Sequence, residues 1–350
     1  MHVGQIDSKY DVIIVGAGPA GLFAAIELIK HNNNLKIALI EKGKPLQDRN
    51  GNDVMTGVGG AGLYSDGKLN FSPVLSHEKL FEFYSPDEVE NYCDYVDSIF
   101  TEFGVDAEYY PKNTEEVEKL ISLCKENGIH LIARRMRHVG SDKLPKVIEK
   151  IEKYLLENNL DLITNTEVKE FIIENNQIKG VRTNGREFFA DYVIVAPGRV
   201  NARWMQEKAK EIGIEFRYQP VEVGVRVEVP SSVLKKYADL MYDSIFVLYT
   251  DTFDDVVRTF CHCPHGIVAK EEYEGFIAVN GHTDSSKKSN NSNFALLARV
   301  DLTEPLENTI AYARSIAELA TTIGGNKPIL QRFKDLKNGK RSTWKRIEKS

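Results

Sequence analysis

Three clusters in this sequence have residue types and spacings suited to chemistry. The stretch DVIIVGAGPAGLFAAIEL carries Gly16, Ala17, Gly18, Pro19, Ala20 and Gly21, a G-x-G-x-x-G pattern. A second literal match, Gly57-Val58-Gly59-Gly60-Ala61-Gly62, runs on into LYSDGKLN. Both suit a backbone that approaches a pyrophosphate closely. Cys261-His262-Cys263 opens the stretch CHCPHG. Its C-x-C spacing allows a strained disulfide, or a thiolate activated by His262 or His265. The competing reading is packing, because residues i and i+2 of a strand share a face and buried cysteines commonly only pack.

Context separates the two glycine matches. Gly16 follows the apolar run YDVIIV and precedes a helix rich in alanine and leucine. The first glycine permits the tight turn, Gly18 lets the backbone approach a pyrophosphate, and Gly21 lets helix and sheet pack closely. The helix start then offers free N–H groups and partial positive charge to the phosphates. Glu41, with Lys42 beside it, ends the next apolar run, where a carboxylate accepts hydrogen bonds from ribose hydroxyls and repels a 2′-phosphate. The second match has neither context. NDVMT before it is no buried strand, and LYSDGKLN after it is too turn-prone for a helix. Either it is a surface glycine loop, or its backbone passes close to something flat or charged.

The elements that must position these groups follow from periodicity. Residues 10–42 predict a βαβ unit. Ser85-Pro86-Asp87-Glu88 and Asn113 with Glu116 predict helix starts, the second helix presenting Val117, Leu120, Ile121 and Cys124 on one face. Ser141 or Asp142 is expected to cap a helix running to about Tyr154. EVKEFIIE, QIKGVRT and REFFA predict strands around polar turns, with DYVIVAPG as a further buried strand. VEVGVRVEVP alternates strictly, as a half-buried antiparallel strand does. SIFVLYT, VVRTFCHC, GFIAVNG and FALLARV continue the pattern, and DSSKKSNNSN predicts a polar loop. Thr303 or Glu304 is expected to open a helix to about Ile323, stopped by Gly324.

The bulk numbers fit a globular chain. There are 350 residues, 42% hydrophobic and 27% charged, with a formal net charge of −6 that gives no reason to expect nucleic-acid binding. Residues 332–349 hold eight Lys or Arg against two acids, a pattern usual for a solvated face. The four cysteines are too sparse for a disulfide scaffold and lack C-x-x-C spacing. No signal-like start and no apolar run near the roughly 18 residues of a membrane span is present, so a cytoplasmic protein without membrane attachment is expected.

DVIIVGAGPAGLFAA with IALIEKG resembles the start of FAD-dependent oxidoreductases of the glutathione-reductase-like group. GGAG-x-x-SDGKL, HVGSDKL at 138–144, APGR at 196–199 and CHCPHG at 261–266 narrow the resemblance to poorly characterised FAD-dependent dehydrogenases of bacteria and archaea. It implies an α/β fold: a Rossmann-like FAD/NAD(P)-binding domain with parallel sheet and β-meander, plus a mainly antiparallel β substrate domain. The expected division is 8–72 with 130–204 for FAD, 73–129 as a helical insertion, 205–325 as substrate domain and 326–350 as a basic tail. Gly16 to Gly21 would hold the FAD pyrophosphate and Glu41, with Lys42, the adenosine ribose. Gly59, Gly60, Ala61 and Gly62 would line the flavin side, with Ser65 to Leu69 close by. Val168 would meet the adenine, and Ala196, Pro197 and Gly198 would pass back near the cofactor. One dinucleotide is thus expected, touched by both glycine stretches.

The implied activity is hydride transfer between flavin and a small-molecule substrate or NAD(P)H. The resemblance also implies a closing strand, Gly-Asp turn and helix that the sequence lacks, and relatives of this type continue by about a hundred residues. The alternative is a nucleotide-binding chain that keeps only the ADP half of the site. Electron transfer to a membrane quinone has no amphipathic or spanning segment to support it. His282, and Asp66 with Lys68, are weaker candidates for acid–base work. Trp204 and the Arg199/Arg203 pair are candidates to steer an anion, and Cys93 and Cys124 are expected in the core.

Overall fold

The computed structural model describes residues 9–51, 53–75, 78–283 and 288–348; residues 284–287 of the expected polar loop lie outside them. The chain opens with β1 (Tyr10–Val15), α1 (Pro19–His31) and β2 (Ile37–Ile40). Next come β3 (Lys68–Asn70), α2 (Pro86–Glu102), β4 (Tyr109–Tyr110), α3 (Thr114–Glu126), β5 (His130–Ile132), β6 (Met136–His138) and α4 (Leu144–Glu157). Strands β7 (Asp161–Ile163), β8 (Val168–Glu174), β9 (Gln177–Thr183) and β10 (Glu187–Val195) follow, then α5 (Ala202–Glu211). The second half holds β11 (Val221–Pro230), α6 (Lys235–Met241), β12 (Ile245–Tyr249), β13 (Val256–Cys263), β14 (Ile267–Tyr273), β15 (Phe276–His282) and β16 (Asn291–Val300). Helices α7 (Thr309–Ile323), α8 (Phe333–Lys337) and α9 (Trp344–Ile347) end it.

The first sheet has the order β7-β2-β1-β10-β9-β8. β1 runs parallel to β2 and β10, and β2 parallel to β7, while β8, β9 and β10 form an antiparallel meander. β1 is buried on both faces, which is why it reads as a continuous apolar run. Val12 and Ile14 pack with Leu22, Ile26 and Ile29 of α1 and with Ile148, Ile151 and Leu155 of α4. Ile13 and Val15 face the other way, against Val168, Val181 and Phe188. Each such side chain contributes about 1.5–3 kcal/mol by leaving water.

A five-stranded antiparallel sheet, β11-β16-β13-β12-β5, dominates the second half, and β3-β6-β4 make a small third sheet. β14 and β15 form a hairpin whose turn residues Glu274 and Gly275 both have positive φ, the geometry that matches strand twist. Ser85 caps α2 with a full capping box to Glu88, and Asn113 caps α3. Cys93 and Cys124 are buried as expected. Among the described residues, no helix is long and apolar enough to cross a membrane.

Several expected boundaries differ. REFFA and DYVIV are one strand, β10, because nothing between Ala190 and Asp191 breaks it; its first half pairs with β9 and its second with β1. Neither Ser141 nor Asp142 caps α4. The N–H groups of Lys143 and Leu144 bond to the Gly140 carbonyl, and the Ser141 hydroxyl donates to Thr283 O at 3.1 Å. α7 starts at Thr309, where the Asn308 side chain caps it by accepting from Ala311 N–H at 3.0 Å. β14 was absent from the expected strands, its acids masking the alternation.

Candidate functional site

A cleft of about 200 Å³ lies over the amino end of α1. Its floor is the turn after β1. Gly16 has φ 102°, and a Cβ there would sit 2.3 Å from the Ala196 carbonyl oxygen, so only glycine lets the β1 and β10 ends approach. A Cβ on Gly21 would lie 1.9 Å from Gly16 O, which fixes α1 against that turn. Gly18 is the N-cap residue and no side chain caps the helix, leaving its first turn open to an anion. Pro19 and Ala20 are exposed there, whereas Ala17 is buried.

The second glycine stretch folds onto the first. Gly59 N–H donates to Ala17 O at 2.9 Å. Gly60, at φ 62°, lies so close to Gly18 that a Cβ would be 2.9 Å from the Gly18 Cα. Gly60, Ala61 and Gly62 form a 3-10 turn that lines the cleft beside Gly18 and Pro19, while Gly59 lies behind, under Ile148 and Leu63. Two separate matches to one pattern therefore build a single wall.

Glu41 ties these loops together. It is 6% exposed and faces the cleft. Its Oε2 accepts from Ala17 N–H at 2.8 Å, and its Oε1 from Gly43 N–H at 2.8 Å and Gly57 N–H at 2.9 Å. Sequence spacing anticipated a ribose acceptor; the structure adds that the same carboxylate pins both glycine loops. Lys42 also lines the cleft and donates to Asn201 Oδ1 at 2.7 Å. Val168, Ala196, Pro197, Gly198 and Trp204 close the far side, where Trp204 Nε1 donates to Lys169 O at 3.2 Å. Arg199 lines the cleft as well; Arg203 instead pairs with Glu207 on the exposed face of α5.

Arg49 was missed by sequence reasoning. Its Nη1 donates to Val58 O at 2.6 Å and Gly60 O at 3.0 Å, and its Nη2 to Asp53 O at 2.7 Å. Its guanidinium also stacks over Tyr64, 5.1 Å from the ring centroid. Burial lowers its pKa, but a guanidinium stays charged. It is the internal template on which the coil from 53 to 60 is wound. The only signal was a lone arginine before a glycine-rich loop.

These features fit a dinucleotide. The glycine walls leave no room for side chains, the helix start is uncapped, and a carboxylate sits where a ribose would lie.

A second cluster forms where GGAG-x-x-SDGKL, HVGSDKL and CHCPHG meet. β3 pairs with β6, placing Lys68 opposite His138, and a Cβ on Gly67 would lie 2.6 Å from Gly140 N. Lys68 Nζ is 2.7 Å from Asp66 Oδ2 and 3.7 Å from Asp243 Oδ1, with all three side chains buried. It also lies 3.4 Å from Cys261 Sγ and donates to His262 O at 2.7 Å. Cys263 Sγ lies 3.3 Å from Asp66 Oδ2 and 3.9 Å from Cys261 Sγ, and its single proton is shared between these two acceptors. Burial opposes the Lys68 charge, but Asp243 and Asp66 outweigh it and hold its pKa well above the ordinary value. The hydrogen bond from Cys263 pushes Cys261 down to about 6, against burial and with help from Lys68; the Cys263 thiol is pushed up. His262 N–H donates to Asp243, but its buried ring has no partner among the described residues, and burial pushes it down to about 4. Its ring nitrogens thus hydrogen-bond to neither cysteine sulfur. His265 Nδ1 meets Ser289 O at 3.0 Å. His138 Nε2 meets Asp66 O and the Tyr242 hydroxyl, at 2.9 and 2.8 Å.

Comparison with known proteins fits this geometry. Residues 11–221 match the model of the FAD dependent oxidoreductase family, and residues 220–350 that of the FAD-dependent protein, C-terminal domain-like, family. An uncharacterized protein of Clostridium beijerinckii is 22% identical over 351 residues, covering 92% of this chain and 58% of its own length. Dihydrolipoyl dehydrogenase of Halobacterium salinarum is 32% identical over 150 residues, covering 41% of this chain and 27% of its own. This chain thus spans a little over half the length of the first relative and about a quarter of the second. Glycine oxidase of Bacillus cereus superposes with a TM-score of 0.42 at 16% identity, over 88% of this chain and 77% of that one. The first family match alone takes in more than half of the sequence, and its glycine turn, meander and acid are the walls of the cleft: the chain belongs to the FAD-dependent oxidoreductase family.

Proposed function

We propose that FAD lies along the cleft and that the protein passes hydride between a small molecule and the flavin. The observation that carries this reading is the joint wall of Gly18 and Gly60, faced by the Glu41 carboxylate. The uncapped N–H groups of α1 receive the pyrophosphate. Glu41 retains lone pairs for a ribose hydroxyl, and Val168 borders the adenine end. Gly59 to Gly62 flank the flavin end, and Ser65 to Leu69 continue from it. When bound, the flavin supplies two-electron chemistry at N5. The chain's part is to orient both reactants and exclude water.

The proposed division keeps the first sheet with 8–72 and 130–204, the helices within 73–129 as insertion and 205–325 as substrate domain, with β5 joining that domain through β12. The finer placement beside the glutathione-reductase-like group is supported by the 150-residue match to a dihydrolipoyl dehydrogenase. NAD(P)H is the candidate donor that the sequence resemblance implies. Helices α7, α8 and α9 follow the second sheet.

The test is to purify the chain, record its visible spectrum, release the bound small molecule by heat and identify it by mass. FAD, or a flavin spectrum after reconstitution, supports the reading. A colourless protein that binds ADP or NAD and takes up no FAD supports the alternative that only the ADP half of the site works.

A further inference from the structure

None of Cys261, Cys263, Asp66, Lys68 and Arg226 lines the cleft, and the geometry of the two cysteines is unusual. The two sulfurs are reduced and 3.9 Å apart. In a regular strand, residues i and i+2 stand about 6.6 Å apart, two rises of the chain. Here the register of β13 on β16 slips between Phe260 and Cys263, and Cys261 takes φ 50°. That bulge tilts the thiols toward each other.

Two cations hold the pair from either side. Lys68 Nζ is 3.4 Å from Cys261 Sγ. Arg226 Nη2 is 3.2 Å from Cys263 Sγ and 3.9 Å from Cys261 Sγ. Lys68 has two carboxylates. Arg226 has no carboxylate partner among the described residues; it bonds instead to Asn293 Oδ1 and Cys261 O, each at 2.7 Å. A guanidinium in a partly buried site is stabilised by an anion, and a thiolate is the anion its contacts can supply. Cys261 is partly exposed, while Cys263 has no exposed surface and shares its proton between Asp66 and Cys261. One sulfur is thus accessible, the other protonated and sheltered.

We infer that Cys261 and Cys263 form a dithiol–disulfide couple that reduces small-molecule disulfides, Cys261 attacking and Cys263 resolving. The Cys261 thiolate attacks one sulfur of R–S–S–R; that bond breaks and one R–S⁻ departs. The departing R–S⁻ takes up the Cys263 proton, and Cys263 attacks the Cys261 sulfur of the mixed disulfide. The second R–S⁻ leaves as the thiolate. The pair is oxidised by two electrons and the small disulfide is reduced to two thiol equivalents. Metal binding is the rival use, since Asp66, Cys261 and Cys263 present donor atoms within 4.8 Å of one another. Lys68 and Arg226 already contact those donors and repel a dication, and three donors fall short of a closed tetrahedral zinc site.

The inference is independent of the flavin reading and is tested without turnover. The full chain is reduced, desalted and treated with hydroxyethyl disulfide at neutral pH, then analysed by intact mass and peptide mapping. The expected result is loss of two hydrogen masses, with the bond mapped to Cys261–Cys263. Cys263→Ser should trap one hydroxyethylthiol adduct on Cys261, and Cys261→Ser, shown folded by circular dichroism, should lower labelling of Cys263 at least tenfold relative to the labelling of Cys261 in Cys263→Ser. A pair left as free thiols, adducts confined to Cys93 or Cys124, or zinc that copurifies with the wild type and is lost in Cys261→Ser would overturn it.

Discussion

Ala17 N–H donates to Glu41 Oε2 at 2.8 Å, so the acid ending the second strand is bonded to the turn after the first. With Gly43 and Gly57 it receives three backbone donors in all. Glu41→Ala leaves these donors without their acceptor, at a cost of about 1–3 kcal/mol for each that stays buried and unsolvated. The expected outcome is a loss of several kcal/mol in urea unfolding and FAD affinity weakened at least tenfold. Glu41→Gln, which keeps an acceptor oxygen, should lose less stability.

Gly60→Ala separates cleft from fold. The residue needs a left-handed conformation, costing roughly 1–2 kcal/mol for a residue with a Cβ, and its new methyl would press on Gly18. Circular dichroism should be nearly unchanged, while flavin absorbance retained after gel filtration should fall about tenfold or more.

Arg137 ties the insertion to the small sheet. Its Nη1 meets Asp97 Oδ1 at 2.9 Å, its Nη2 donates to Val105 O at 2.6 Å and its Nε to Ala107 O at 2.8 Å. Removing one partner of a buried ion pair leaves the other uncompensated, at about 3–5 kcal/mol. Arg137→Met should therefore show a loss of that size in chemical denaturation.

Cys261 should titrate as an acidic thiol. The groups facing it are Cys263, Lys68, Asp66 and Arg226, with Asp243, His138 and His262 around them. Its pKa is lowered to about 6, so the thiolate is present above that pH and lost as pH falls through it. The rate of iodoacetamide labelling at Cys261, read by peptide mass, should rise with a midpoint near 6. In Lys68→Met the midpoint should move up toward the free-thiol value of about 8.5, and labelling at neutral pH should slow about tenfold.

Gly281 lies under the same cluster. A Cβ there would meet Arg226 Nη2 at 1.9 Å and Cys263 Sγ at 2.6 Å. Gly281→Ala should displace the guanidinium and raise the labelling midpoint of Cys261, with a smaller effect on FAD retention than Gly60→Ala.

The amino-terminal unit was legible because its signals are local. Apolar run, glycine turn and terminal acid lie within Tyr10 to Glu41, so the pattern reads locally even though Gly16 meets Ala196 and Gly18 meets Gly60 only in the folded chain. The meander was legible through its turns: Asn175 and Asn176 take the positive φ that such residues tolerate. Arg49 was not, since its partners are carbonyls of an irregular coil whose path no periodicity announces. The start of α7 was misplaced because Thr303 and Asn308 are both cap-type residues, and only the fold shows Asn308 accepting from Ala311 N–H.

The sequence by itself determined that a dinucleotide site exists and where its first wall stands, because strand, turn and helix start form from contiguous residues. Only the tertiary structure decided that Gly60 would face Gly18, and that Asp66 and Lys68 would meet cysteines nearly two hundred positions away. Such meetings depend on how β3, β6 and β13 dock. Docking is set by the summed burial of whole sheets, a quantity that no short stretch contains.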